Sequence, residues 1–117
     1  MENAVYNSAL AALKTLFGMP RPLANQNGAR FLRNGTVTIY HTELFPGNEA
    51  EIAFNVQPIS SSYGISPATL NSLLEECRQL TGHPTEVNKL QNWPRIGLAT
   101  EEEVTQVMAK LAAVLKK

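Results

Sequence analysis

Asn34-Gly35 stands between two runs of strand-forming residues, Ala29-Arg30-Phe31-Leu32-Arg33 and Thr36-Val37-Thr38-Ile39-Tyr40. A two-residue type I′ turn needs positive φ at both central positions, and Asn-Gly supplies it at little steric cost, so this stretch reads as a β-hairpin. With that turn Arg33 pairs Thr36, Leu32 pairs Val37, Phe31 pairs Thr38, Arg30 pairs Ile39 and Ala29 pairs Tyr40. Opposed residues share a sheet face. Leu32, Val37 and Ile39 are therefore expected on one side, and Phe31, Arg33, Thr38 and Tyr40 on the other. Pro46-Gly47-Asn48 is a second turn, after which Ile52, Phe54 and Val56 alternate onto one side and extend the hairpin to a three-stranded antiparallel meander.

Helical patterns flank the strands. Residues 3–17 carry Val5, Tyr6, Ala9, Leu10, Ala12, Leu13, Leu16 and Phe17 on a wide apolar face, and Gly18 sits where a left-handed C-cap belongs. Met19-Pro20-Arg21-Pro22 cannot prolong that helix, because proline lacks the amide hydrogen and restricts the residue before it. After a loop, PISSSYGI, Ser66 is an N-cap with Pro67 in the first helical position, and Leu70, Leu73, Leu74, Cys77 and Leu80 form a core stripe that Gly82 ends. An irregular stretch then runs through Trp93-Pro94, with a short edge strand expected at 85–90 or 95–98. Thr100 to Glu103 is a T-x-x-E capping box, its glutamates matched to the positive end of the helix dipole as Lys110, Lys116 and Lys117 are to the other. Val104, Val107, Met108, Leu111 and Leu115 give this last helix its buried stripe.

Strands consecutive in sequence with helices at both ends imply an α+β layer. The expected fold is a single domain over residues 1–117: a three-stranded antiparallel meander, with a short fourth edge strand, packed with three helices in the order α-β-β-β-α-(β)-α. The layout, with its one tryptophan between the last two helices, loosely resembles the small YjbR-like bacterial domains, although no motif specific to them occurs.

A chain of 117 residues buries enough surface to hold one core without a covalent staple. Ten Lys plus Arg balance ten acidic residues, all of them Glu, so no large field steers the chain to DNA, membranes or acidic partners. The lone Cys77 rules out an internal disulfide or a multi-cysteine zinc site and suits a reducing, cytoplasmic setting. The segment MENAVYNSALAALKTLF has no basic n-region and its apolar residues are interrupted, so it reads as a helix of the folded domain. No apolar run reaches the ~18 residues of a membrane span, and the Asn34-Gly35-Thr36 glycosylation pattern reads as a turn.

The search for chemistry yields little. His41-Thr42-Glu43 reproduces the H-x-E half of a zinc deaminase signature without its P-C-x-x-C half. An alternative metal or acid/base site near His41, Glu43 and His83 has no tight ligand pair to support it. Cys77 falls on an apolar helical stripe, where a thiol acts as a small hydrophobe rather than a nucleophile. Glu75-Glu76, Glu49/Glu51 and Glu101 to Glu103 are explained by solvent, turn and capping, and no glycine-rich phosphate loop is present. No cofactor is implied.

Three surfaces remain. Phe31, Arg33 and Tyr40 on one hairpin face are what single-stranded nucleic acid stacks on, and residues 1–40 hold Lys14, Arg21, Arg30 and Arg33 against one acid, Glu2. The outer strands carry no internal proline, which invites pairing with a second copy unless the 85–98 segment closes the edge. Trp93 reads as a lid over the core, with the alternative that Trp93 and Arg95 line a cleft mouth for a flat or anionic ligand. The expectation is a small soluble binding module without catalytic motif that self-associates as a homodimer or docks another protein. Phe31, Arg33, Tyr40, Trp93 and Arg95 are its candidate surface.

Overall fold

The computed structural model describes residues 4–22, 28–31, 37–40, 49–82 and 94–115. Along the chain lie α1 (Ala4–Phe17), β1 (Arg21–Pro22), β2 (Gly28–Phe31), β3 (Val37–Tyr40), β4 (Ala50–Phe54), α2 (Val56–Tyr63), α3 (Pro67–Thr81), β5 (Arg95–Leu98) and α4 (Glu101–Val114). The sheet is antiparallel throughout, in the order β1-β2-β3-β4-β5. The α+β meander with its added strand at Arg95–Leu98 is as the sequence implies; the other expected position, 85–90, lies outside the described residues.

Helix boundaries follow their punctuation. Gly18 leaves α1 at φ 93°, its N–H donating to the Lys14 carbonyl at 2.9 Å. Ser66 Oγ accepts from the Thr69 N–H, and Gly82 ends α3 in the left-handed region. At the start of α4 the Glu103 N–H donates to Thr100 Oγ1 at 3.2 Å, while Glu103 Oε1 accepts from the N–H groups of Thr100 and Ala99. Both members of the capping box are thus in place.

The fourth helix is a departure from the expected three. Val56 and the PISSSY residues form α2 instead of a strand end and a loop. Three serines in a row favour local hydrogen bonds over helix, yet Ile59 is fully buried and Tyr63 packs edge-on against Phe17, rings 6.4 Å apart. Pro58 is harmless in the first turn, where its missing N–H has no helical partner to lose. In α3, Leu80 turns out exposed at 38 %, and Thr81 is buried in its place.

The hairpin register also differs from the expected one by a residue. Phe31 pairs Val37, Arg30 pairs Thr38, Ala29 pairs Ile39 and Gly28 pairs Tyr40. Phe31 and Val37 are the innermost described pair, one residue away from the pairing expected of a regular two-residue turn. A one-residue slip moves a whole strand's side chains to the opposite face. Here it brings Phe31 inward with Ala29, Val37 and Ile39, so the bulkiest apolar residue of the hairpin joins the core. Ala29, Ile39, Ile52 and Ile96 then form one continuous row across four strands. Helices α1, α3 and α4 close over that face.

Neither β2 nor β4 is an outer strand. β1 pairs β2 and brings Pro22 to the rim, and β5 pairs β4, whose five residues are all buried. β2 and β4, expected as outer strands, are therefore interior, and β1 and β5 are the outer strands of the sheet.

Candidate functional site

On the face turned away from the helices, cross-strand pairing builds two rows. One runs Arg21, Arg30, Thr38, Ala53 and Arg95; the other runs Gly28, Tyr40, Glu51 and Gly97. Glu51 is 0 % exposed, and Thr38 and Ala53 are buried beside it. Gly97 contributes no side chain opposite Glu51, and Arg95, one pair along the same strand, reaches Glu51 Oε1 at 3.4 Å with its side chain 14 % exposed. The same guanidinium lies 4.7 Å over the Tyr40 ring. A carboxylate this deep requires a cation and hydrogen bonds around it, and Arg95 supplies charge on one side and a stacked plane on the other.

The five candidate residues divide as follows. Tyr40 and Arg95 come together, joined by Glu51, which the sequence places beside a turn. Phe31 is corrected: it is fully buried in the core, 6.3 Å from the Phe17 ring, and does not share a face with Tyr40. Arg33 and Trp93 lie outside the described residues, as do His41, Glu43 and His83. The stacking platform of Phe31, Arg33 and Tyr40 is thus reduced, among the described residues, to a half-buried tyrosine already covered by Arg95. Among the described residues, the exposed basic groups on this face are Arg21 and Arg30, a directly opposed pair at its rim.

Cys77 matches its expected role. It is buried on α3, and desolvation by burial pushes its thiol up to about 11, partly offset by nearby Lys110. A thiol held protonated is a poor nucleophile. No cluster of metal-ligating side chains occurs among the described residues, and no described helix is long and apolar enough to cross a membrane.

A different surface emerges on the outside of the helical layer. α1 and α4 run side by side in the same direction: Ser8 Oγ donates to Glu101 Oε1 at 2.9 Å near their starts, and Ala12, Thr15 and Leu16 face Thr105, Met108, Ala109 and Ala112 further along. Between them lies an open apolar groove of about 440 Å³. A more polar hollow of about 580 Å³, lined by Ala4, Asn7, Ser8, Ala11 and Glu101, continues it toward the helix starts. Small residues keep the two ridges low, which leaves backbone close to the surface and room for an incoming side chain. The sequence signal was the width of the α1 apolar face, whereas Met108, expected in the buried stripe of α4, is only partly buried because it lies toward α1 instead of the sheet. Buried residues of α1 are only Val5, Ala9 and Leu13, and Met108 is left half-exposed. No protein-family model matches the chain, and no match is found among curated proteins or solved structures.

Proposed function

We propose that the protein is a non-catalytic binding module that docks an apolar protein surface in the groove between α1 and α4. The observation that carries this reading is the groove itself: an exposed, mainly apolar channel between parallel helices, lined by small side chains and the flexible Met108. Such channels accept ridges of another helix, and methionine adapts its shape to what enters. The opposite face of the domain supports the reading by contrast, since the side chains at its centre are committed to Arg95, Glu51 and Tyr40.

The test uses 1-anilinonaphthalene-8-sulfonate as an apolar probe, followed by amide chemical shifts. Shifts are expected at Ala12, Leu16, Met108, Ala109 and Ala112, and their loss is expected in Ala109→Glu, which places a charge on an exposed helical position. Probe shifts confined to other parts of the chain would overturn the assignment of the groove.

A further inference from the structure

We infer that the occupant of the groove is a second copy of this chain, seated antiparallel across a two-fold axis perpendicular to α1 and α4. The inference rests on the reading of the groove as a docking surface and adds the identity of the partner. Its ground is charge. Because α1 and α4 point the same way, their flanking charges fall at the same two ends of the groove. Glu101 lines the hollow at the start of α4 with Glu102 next to it in the first turn, and Lys14 stands in the last turn of α1, toward the other end of the helix pair.

The helix dipoles add positive character where the glutamates lie and negative character where Lys14 lies, so within one copy each end is already balanced against its own helices. Between two copies the side chains reach further than the helix ends. An antiparallel seat brings Glu101 and Glu102 of one copy toward Lys14 of the other, twice by symmetry, and it opposes the helix axes. A parallel seat would set like charges together. The formal net charge of zero removes the long-range repulsion that keeps many small domains apart. At the surface, Ala11, Ala109 and Ala113 are exposed and short, which lets two helix layers approach closely.

Size sets the strength. Helices of 14 residues are about 21 Å long, and two lying abreast are about 20 Å wide, so each copy offers roughly 400 Å² and the pair about 800 Å². This is at the low end of specific interfaces, and a dimer in the micromolar range or weaker is expected.

The experiment is sedimentation velocity with light scattering, from micromolar to near-millimolar protein. A concentration-dependent dimer is expected in the unaltered chain. Ala109→Glu should weaken it by about tenfold or more, because a charge would be buried without a partner. Lys14→Glu and Glu102→Lys should each weaken it roughly two- to fivefold, and the double reversal should restore it. A monomer over the whole range overturns the inference, as does a dimer indifferent to Ala109→Glu or one that the double reversal fails to restore. Circular dichroism on each variant confirms the fold. A monomer that still binds the apolar probe at Ala12 and Met108 sinks the second copy and leaves the docking groove standing; loss of both removes both.

Discussion

Replacing Arg95 with Met tests whether the second sheet face is held together by a buried charge or merely decorated by a surface one. At 3.4 Å, and at the effective dielectric of about 20 suited to partly buried pairs, the attraction between Arg95 and Glu51 is about 5 kcal/mol before desolvation is subtracted. Removing one partner of a buried pair costs about 3–5 kcal/mol, because the remaining charge stays in the interior. Arg95 keeps 14 % of its side-chain surface, and Glu51 has a further interaction besides this one, so the lower end applies, about 3 kcal/mol. Loss of the guanidinium from the Tyr40 ring adds up to about 1 kcal/mol. With a urea m-value of about 2 kcal/mol/M for a domain of this size, the unfolding midpoint should fall by roughly 1.5–2 M. The paired change Glu51→Leu with Arg95→Met removes both charges, and should recover stability to within about 1 kcal/mol of the unaltered protein. A midpoint change equivalent to less than about 0.5 kcal/mol for Arg95→Met is what an exposed pair gives, and it would refute the argument.

Two further outcomes follow from the backbone and from burial. A Cβ on Gly28 would stand 1.9 Å from the Ile39 carbonyl oxygen, so Gly28→Ala must shift strand backbone and should destabilise by about 1–3 kcal/mol or more, read from the same urea midpoint; an unchanged midpoint would show that β2 does not approach β3 this closely. At alkaline pH the buried Cys77 thiol, pushed up to about 11 from 9.0, keeps a proton that the unfolded chain has released. The unfolded state then binds fewer protons, so stability is complete below about pH 9 and declines as pH rises toward about 11. Tyr6 and Tyr63, both raised by burial, act in the same direction at the upper end. Urea midpoints across that range should drop, and Cys77→Ala should flatten the earlier part of the slope; an equal slope in both proteins would place the titration elsewhere.

What the sequence made legible was local. Gly18, Ser66, Gly82 and the Thr100/Glu103 pair stop or start helices by backbone conformation and nearby hydrogen bonds, which depend on adjacent residues alone, and each sits where the chain places it. The hairpin shows where locality ends. Asn34-Gly35 argued for one turn geometry, but the core required Phe31 to face inward with Val37 and Ile39, and that long-range demand selected a register one residue away. Helix α2 is not legible in the sequence for the same reason, since its serines argue against helix while the burial of Ile59 and the contact of Tyr63 with Phe17 favour it. Of the candidate site, Tyr40 and Arg95 were legible as polar-edged residues, but their union depends on Glu51, a residue whose burial no local pattern announces.

The way the two faces of the sheet are closed has a consequence for the helices. The helix-side face needs α1, α3 and α4 to cover it, and covering a five-stranded sheet spreads them into a layer in which each buries only part of its apolar arc. α1 spends Val5, Ala9 and Leu13 on the sheet and leaves Leu16 half-buried at the groove; α4 spends Val104, Val107 and Leu111 and leaves Met108 there. A single layer of helices cannot satisfy arcs wider than the stripe a sheet accepts. The residual apolar surface therefore follows from the architecture, and its position between the two parallel helices follows from their shared direction. That shared direction also sorts Glu101 and Glu102 toward one end of the groove and Lys14 toward the other. An apolar channel with acidic residues toward one end and a lysine toward the other is complementary in charge to its own inverted copy, and the proposed self-association rests on that complementarity.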